Sequence, residues 1–244
     1  MGRTKVILLA GGSGTRMGGP VPKQFLCVGG KPVIYYTLRA LEDSPSVDAV
    51  LPVCIPGWEE KLREALADWH IRKVERVLTG GTTRYLSTRI GMEAACVGAD
   101  EKDVLIVHDA VRTMVPEYTF ADVARVCRQE ENAMAVIEVV DTLYARDGEK
   151  TASIVDRSKV VRGQTPEAVT VRRAREMYAL ADARGVQDDS ISALQVKLGF
   201  LVHFARGAAE NIKLTRREDL RIFEAMRSSK EGKTVEGVES AWDW

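Results

Sequence analysis

The sequence predicts a three-layer, Rossmann-like α/β fold, in which helices cover both faces of a mostly parallel central sheet. Short apolar runs alternate with segments whose apolar residues recur at helical spacing, which is the pattern of successive β-α-β units. One segment around residues 141–162 departs from this alternation and contains an Asp-Gly pair, a hairpin turn signal. We therefore expect a β-hairpin arm that projects from the sheet.

Predicted strands and helices alternate along the chain. A Pro-Gly pair at 56–57 closes the second strand, and a glycine at 185 ends the helix before it. We expect one domain over residues 1–227, with the arm at about 141–162, and a loosely ordered tail over 228–244. Strands are expected at 6–10, 49–55, 74–78, 104–107, 133–140 and 200–205, and helices at 32–42, 58–69, 85–97, 117–130, 172–183 and 218–226.

Composition argues against several classes of function. Lys plus Arg and Asp plus Glu total 35 each, so no general attraction to nucleic acid or to an acidic membrane is expected. No apolar run approaches the ~18 residues of a membrane span, and a strand begins almost at once where a signal peptide would lie. The four cysteines are scattered without a Cys-x-x-Cys pair, which favours reduced, mostly buried thiols. We expect a cytoplasmic protein.

Residues 5–25 contain the strongest functional signal. The first strand runs into a loop with glycines at 11, 12, 14, 18 and 19, and two cations, Arg16 and Lys23, stand in and just after this loop. A buried strand followed by a glycine-rich turn with fixed positive charge is typical of a phosphate-binding site. A plain turn is the alternative, but five glycines cost more chain entropy than a simple turn requires.

Two common glycine fingerprints do not match this loop. The Walker A pattern requires Gly-Lys, whereas Gly18 is followed by Gly19 and Lys23 comes later. The dinucleotide fingerprint requires glycine at position 17, which is Met17, and a helix where Pro22 stands. A dinucleotide-binding oxidoreductase is therefore disfavoured, and a nucleotide-binding module without catalysis stays as another alternative.

Several motifs together resemble one enzyme family. L-A-G-G-S-G-T-R-M-G followed by P-K-Q-F is similar to nucleotidyltransferases that activate sugars and alditols, most closely the 2-C-methyl-D-erythritol 4-phosphate and ribitol-5-phosphate cytidylyltransferases. Further motifs occur in family order, namely G-G-T-T-R-Y-L-S at 80–87, H-D-A-V-R at 108–112, D-R-S at 156–158, Q-T-P at 164–166 and N-I-K-L-T at 211–215. The resemblance covers residues 9–220.

The resemblance implies a specific reaction and a set of site residues. A phosphate oxygen of a polyol phosphate would attack the α-phosphorus of CTP and release pyrophosphate, so the chemistry requires charge compensation and alignment rather than a general base. A divalent cation, Mg²⁺, is expected to bridge phosphates. The implied catalytic residues are Arg16, Lys23, Arg157 and Lys213; the implied CTP-binding residues are Ala10, Gly11, Gly12, Ser13, Gly14, Gly81, Thr82, Arg84, Ser87 and Ala110.

The acceptor would be held by Asp109, Arg157, Thr165, Asp188, Asp189 and Lys213. Asp109 ends a predicted strand, where it could bind the metal, bind polyol hydroxyls or cap a helix. His108 is expected to be a buried strand-end residue. Arg157 lies on the return limb of the arm, so a homodimer in which the arm docks on a second copy would let it complete the partner's site.

The chain departs from the family pattern on the acceptor side. Where T-D-D/E-A-S-A is expected, Asp188 replaces the threonine and Ser190 replaces the second acid. An extra carboxylate would repel an acceptor phosphate unless it binds hydroxyls or metal. The acceptor-side motifs favour 2-C-methyl-D-erythritol 4-phosphate, a precursor in isoprenoid synthesis, and ribitol-5-phosphate or another alditol phosphate is the alternative.

Overall fold

The computed structural model describes residues 2–12 and 21–230. Ser13, Gly14 and Arg16, and positions 231–244 of the expected tail, lie outside the described residues. The elements in chain order are β1 (Thr4–Ala10), β2 (Cys27–Val28), β3 (Lys31–Pro32), α1 (Val33–Asp43), β4 (Ala49–Cys54), α2 (Glu59–Asp68), β5 (Leu78–Thr79), α3 (Arg84–Cys96), β6 (Val104–Asp109), α4 (Glu117–Glu130), β7 (Asn132–Glu138), β8 (Leu143–Tyr144), β9 (Ile154–Val155), β10 (Val161–Thr170), α5 (Val171–Arg184), α6 (Ile191–Leu198), β11 (Phe204–Arg206) and α7 (Arg217–Lys230).

The central sheet has seven strands in the order β11-β7-β10-β6-β1-β4-β5. All neighbouring pairs are parallel except those of β10, which runs antiparallel to β6 and β7. The chain leaves β1 for β4 on one side and returns later to β6 on the other. Ligands in open α/β sheets bind at the carboxyl ends of the strands where the order reverses in this way. The site is therefore expected at the ends of β1 and β6.

Helices cover both faces, which confirms the predicted three-layer α/β fold. Alternate residues of β1 face opposite layers, because successive side chains of a strand point to opposite faces. Val6 and Leu8 pack with α1, α2 and α4, whereas Ile7 and Leu9 pack with α3, α5 and α6. A third, smaller cluster joins the β2-β3 hairpin to the loop after β6 and to α7. Its buried members are Val28, Val33, Val111, Met114, Leu214 and Phe223.

Three elements differ from the sequence prediction. β10 was not predicted as a strand, because it contains a glycine, polar side chains and Pro166, which central strands normally exclude. A register shift between Gln164 and Glu167 accommodates the proline. The eight-residue helix α6 was not predicted either. The third predicted strand, 74–78, is reduced to β5 and a single bridge between Val50 and Val74.

The predicted arm is present. β8 and β9 pair antiparallel, and a bridge between Asp147 and Lys150 closes the turn at the Asp-Gly pair. The arm and the residue before it expose apolar side chains, with relative exposures of 77% for Val140, 59% for Tyr144 and 70% for Ile154. At the other end of the chain, α7 extends to Lys230, beyond the helix end expected at 226. Within residues 2–12 and 21–230, no helix is long and apolar enough to span a bilayer.

Candidate active site

A cavity of about 310 Å³ lies at the carboxyl ends of β1 and β6. It gathers chain segments that are far apart in sequence but belong to the motifs found above. The lining residues are Leu9, Gly11, Gly12, Lys23, Gln24, Gly81, Thr82, Thr83, Arg84, Ser87, Asp109, Val111 and Lys213. A larger cavity of about 690 Å³, which Gly2, Lys102 and Arg128 help to line, holds none of the predicted site residues.

Asp109 is the charged centre of the cavity. It ends β6, is 5% exposed, and forms ion pairs with Arg84 at 3.1 Å and with Lys213 at 2.8 Å. Arg112 lies further away, with its Nε 3.7 Å from the carboxylate. Burial opposes ionisation of Asp109, but the three neighbouring cations outweigh burial and hold its pKa well below the usual range. Asp109 is therefore a permanent anion that fixes cations from three chain segments.

Lys23 enters the cavity on a single turn of 3-10 helix, Lys23–Phe25, that follows the glycine loop. Two contacts fix this turn. The buried side chain of Gln24 donates a hydrogen bond through Nε2 to the carbonyl of Ala10 at 2.6 Å. The ring of Phe25 stacks on Trp58 with centroids 4.5 Å apart. Gln24, which had no predicted role, therefore couples Lys23 to the end of β1.

The segment 80–87 forms the opposite wall. Thr83 caps α3 by accepting a hydrogen bond from the N–H of Leu86, and Ser87 Oγ accepts one from Gly81 N–H at 3.1 Å. A Cβ on Gly81 would lie 2.5 Å from Leu86 Cβ, so the turn requires glycine here. A Cβ on Gly11 would come within 3.3 Å of Ser87 Oγ. The Ser87 side chain thus lies close to both glycine segments.

The loop that carries Lys213 is held from behind by a buried amide network. Gln164 Nε2 donates to the carbonyl of Ala208 at 2.9 Å, and Asn211 Nδ2 donates to the carbonyl of Thr165 at 2.8 Å. Arg112 donates to the carbonyl of Asn211 at 2.6 Å. Lys213 faces the cavity, while its apolar neighbour Leu214 packs into the third cluster. Gln164, Asn211 and Arg112 stood in the motifs but were assigned no role.

The remaining predicted residues lie outside the cavity lining. Thr165 is buried behind Asp109 and its Oγ1 accepts the Asp109 N–H at 3.1 Å. Asp188 pairs with Lys197 at 2.8 Å, and Asp189 accepts the N–H of Tyr85 at 3.1 Å. Arg157 lies on the arm, where it donates to the carbonyl of Val140 at 2.6 Å. Ala10 and Ala110 are buried at the ends of β1 and β6.

The described residues do not form a metal cage. They contain no group of three or more His, Cys, Asp or Glu side chains that could hold an ion. Asp109 is the one carboxylate among the described lining residues, and both of its oxygens already face Arg84 and Lys213. A cation bound at Asp109 would have to displace one of these ion pairs. The donor set therefore fits polyanion binding better than direct metal binding.

Comparison with known proteins identifies the enzyme class. A family model described as IspD, 2-C-methyl-D-erythritol 4-phosphate cytidylyltransferase, matches residues 4–228. The chain belongs to the IspD family. This confirms the family resemblance drawn from the motifs, and it confirms that the chain is a cytidylyltransferase, hence a nucleotidyltransferase.

The names of relatives in the IspD family specify two different acceptors. A ribitol-5-phosphate cytidylyltransferase of Lacticaseibacillus paracasei is 33% identical over 92% of this chain and 98% of its own length. A 2-C-methyl-D-erythritol 4-phosphate cytidylyltransferase of Rubrobacter xylanophilus is 33% identical over 92% of this chain and 95% of its own. The crystal structure of a 2-C-methyl-D-erythritol 4-phosphate cytidylyltransferase from Thermus thermophilus is 28% identical, with a TM-score of 0.71 over 92% of this chain and 98% of that chain.

His108 lies next to Asp109 but does not face the cavity. It is fully buried, its ring packs edge-on to Phe120, and its Nε2 lies 3.2 Å from the carbonyl of Arg112. A carbonyl only accepts, so Nε2 carries the proton in the neutral ring. Burial lowers the pKa of His108 from 6.5 to about 4. As expected from the sequence, His108 is a structural strand-end residue.

This depressed pKa predicts a pH dependence of folding. Between pH 6.5 and about 4 the unfolded chain protonates His108 while the folded chain keeps it neutral, so stability is lost as pH falls through this window. The total loss attributable to His108 is about 3 kcal/mol. His108→Asn should flatten the dependence of the unfolding free energy on pH, measured by urea denaturation from pH 7 to 4.5. His70→Asn, at an exposed position, is the control. Equal slopes in wild type and His108→Asn would contradict this assignment.

Proposed function

We propose that the enzyme transfers CMP from CTP to a short polyol phosphate and releases pyrophosphate, with 2-C-methyl-D-erythritol 4-phosphate as the acceptor. The observation that supports this proposal most strongly is the convergence of Lys23, Arg84 and Lys213 on a cavity beside the glycine loop. Such a set of cations suits the crowded phosphates of a nucleotide and a phosphorylated acceptor. The match to the IspD family model favours the methylerythritol acceptor.

In this proposal the two walls of the cavity have separate tasks. The nucleotide lies between the glycine loop and the segment 80–87, where Gly81 and Ser87 offer a narrow, polar pocket for a pyrimidine. Lys23, together with Arg16, compensates the charge that develops on the α-phosphate and on the leaving pyrophosphate. Lys213, with its side chain 38% exposed at the rim, binds the acceptor phosphate. Asp109 accepts a hydrogen bond from an acceptor hydroxyl while it keeps Arg84 and Lys213 in place.

No proton-abstracting residue is needed in this scheme. The acceptor phosphate is already ionised at neutral pH, so its oxygen can attack the α-phosphorus directly. The protein contributes alignment and fixed positive charge, which can together supply most of the acceleration of such a transfer. Mg²⁺, which the family resemblance implies, would be bound by the phosphates of CTP, because the carboxylate of Asp109 is already paired with cations.

Ribitol-5-phosphate is the second candidate acceptor, because a relative named for it is as similar to this chain as the methylerythritol relative. The ribitol-5-phosphate cytidylyltransferase of Lacticaseibacillus paracasei matches 98% of its own length with 33% identity, the same identity as the methylerythritol relative. The departures at Asp188 and Ser190 lie on the acceptor side of the resemblance. Both are departures from the family motif that bear on the choice of alcohol.

The proposal is tested by a pyrophosphate-release screen. The four ribonucleoside triphosphates are each combined with 2-C-methyl-D-erythritol 4-phosphate, ribitol-5-phosphate and other polyol and sugar phosphates. We expect release with CTP and the methylerythritol acceptor. Release with CTP and ribitol-5-phosphate alone would select the second candidate, and no release with CTP and any polyol phosphate would refute both.

Lys23→Ala should lower kcat by about 10²–10³-fold, because it removes a fixed charge that acts on the reacting phosphates. The unfolding free energy should change by about 1 kcal/mol or less, since the Lys23 side chain is only partly buried. Lys31→Ala is the matched control, because Lys31 is exposed on β3 and its ammonium lies over the ring of Tyr35. Steady-state kinetics and urea denaturation measure the two effects. A kcat unchanged by Lys23→Ala would remove this residue from the catalytic set.

The proposal includes a homodimer formed through the arm. Val140, Tyr144 and Ile154 expose apolar surface on an arm with no core of its own, and Arg157 stands at its return limb. Such a surface is typical of a contact between subunits. Docking of the arm on a second copy would bring Arg157 to the partner's acceptor site.

Ile154→Asp should convert the dimer to a monomer and raise the KM for the polyol phosphate, because the arm of one subunit would no longer reach the other. The KM for CTP should stay close to that of wild type. Light scattering coupled to gel filtration measures the mass, and Glu149→Ala in the exposed turn is the control. A wild-type enzyme that is monomeric and fully active would exclude the role of the arm.

A further inference from the structure

A buried carboxylate lies just outside the cavity and was assigned no task above. Glu167 on β10 is 5% exposed and receives two hydrogen bonds from the start of α6. Ser190 Oγ donates to Oε1 at 2.7 Å, and the N–H of Ile191 donates to Oε2 at 3.1 Å. Burial raises the pKa of Glu167, while Ser190 and Arg84 act in the opposite direction. Glu167 thus joins β10 to the N-terminal end of α6 through two hydrogen bonds.

The segment 188–190 before α6 is fastened to three elements at once. Asp188 accepts the N–H of Ser190 at 3.0 Å and pairs with Lys197 on α6. Asp189 accepts the N–H of Tyr85 in the first turn of α3. Ser190 donates to Glu167 on β10. The segment therefore links β10 and α6 to the residue that directly follows Arg84.

Arg84 connects this junction to the cavity. It is the first residue of α3, it lines the cavity, and its guanidinium donates to Asp109 at 3.1 Å. Its side chain reaches from the helix start, so a shift of the first turn of α3 moves the guanidinium relative to Asp109. Glu167 pairs in register with Val107 of β6, two residues before Asp109. The Glu167–Ser190 contact is thus linked to Arg84 through the hydrogen bond between Asp189 and Tyr85. It is linked to Asp109 through the pairing of β10 with β6.

The residue types at this contact are matched as hydrogen-bond donor and acceptor. The motif that this segment resembles has an acid at the place of Ser190. A carboxylate there would face the Glu167 carboxylate at hydrogen-bonding distance, and two such anions repel each other strongly in a buried site. The serine hydroxyl instead donates to Glu167 and accepts the N–H of Ala193. The contact therefore pairs a single carboxylate on β10 with a hydroxyl at the start of α6.

We propose that Glu167 and Ser190 form a matched positioning pair that holds segment 188–190 and thereby sets the position of Arg84 for nucleotide binding. The inference rests on the proposed binding of CTP beside Arg84. Neither residue touches the substrate in this account, so both act through Arg84.

A charge-swap experiment tests the pair. Ser190→Asp should weaken CTP binding by about tenfold or more, because it sets two carboxylates against each other and displaces the start of α3. The double variant Glu167→Gln/Ser190→Asp should bind CTP within about threefold of wild type, because the glutamine amide donates to the new carboxylate. Ser190→Ala, which removes the hydroxyl that donates to Glu167, should weaken binding by about threefold. Glu176→Gln on the exposed face of α5 is the control.

Titration calorimetry with CTP separates positioning from folding. If the Glu167–Ser190 contact only stabilised the fold, a variant would contain fewer molecules able to bind CTP. The stoichiometry would then fall, while the dissociation constant of the folded molecules stayed unchanged. An unchanged dissociation constant in Ser190→Asp, or no recovery in the double variant, would overturn the proposal. If Ser190→Asp does not fold, an unchanged dissociation constant in Ser190→Ala overturns it equally. CTP binding without pyrophosphate release by wild type would instead refute the proposed function and leave the positioning pair standing.

Discussion

The buried carboxylate of Asp109 is the interaction on which the arrangement of the cavity depends. Arg84, Arg112 and Lys213 come from three chain segments, and without a shared anion their like charges would repel one another. Removing one partner of a buried ion pair costs about 3–5 kcal/mol, because the remaining charge stays desolvated. Asp109 itself is fixed through its backbone, since its N–H donates to Thr165. One anion thus holds three cations together, an arrangement that suits the polyanionic substrates proposed above.

The sheet order places this anion beside the glycine loop. β1 lies between β4 and β6 in the sheet. The loop that leaves β1 and the carboxylate that ends β6 therefore lie side by side at the carboxyl ends of these strands. β10 pairs with β6 and carries Gln164, Thr165 and Glu167. Gln164 and Thr165 hold the loop of Lys213, and Glu167 holds the start of α6. Buried hydrogen bonds therefore hold the segments that carry the charged residues of the cavity, an arrangement that suits the proposed transfer.

Much of the fold could be predicted from the sequence, because the signals for individual strands, turns and helix ends come from neighbouring residues. The strand before the glycine loop, the arm turn at Asp147 and the helix end at Gly185 all follow from neighbouring residues. β10 was missed because Pro166 argues against a central strand, and only a register shift between strands permits it. The contact of Glu167 with Ser190 and that of Gln24 with Ala10 depend on tertiary distances that no local pattern contains. The ion pair of Asp188, a residue predicted to bind the acceptor, with Lys197 is another such tertiary contact.

The most direct test of this account is the single-turnover rate of CMP transfer in Asp109→Asn. The substitution keeps the shape of the side chain and removes the charge that holds Arg84 and Lys213 together. The account predicts a rate about 100-fold below that of wild type or lower, in a protein whose circular dichroism shows that it is folded. A rate within about threefold of wild type would show that the cations of the cavity hold their positions without Asp109, and would contradict the account.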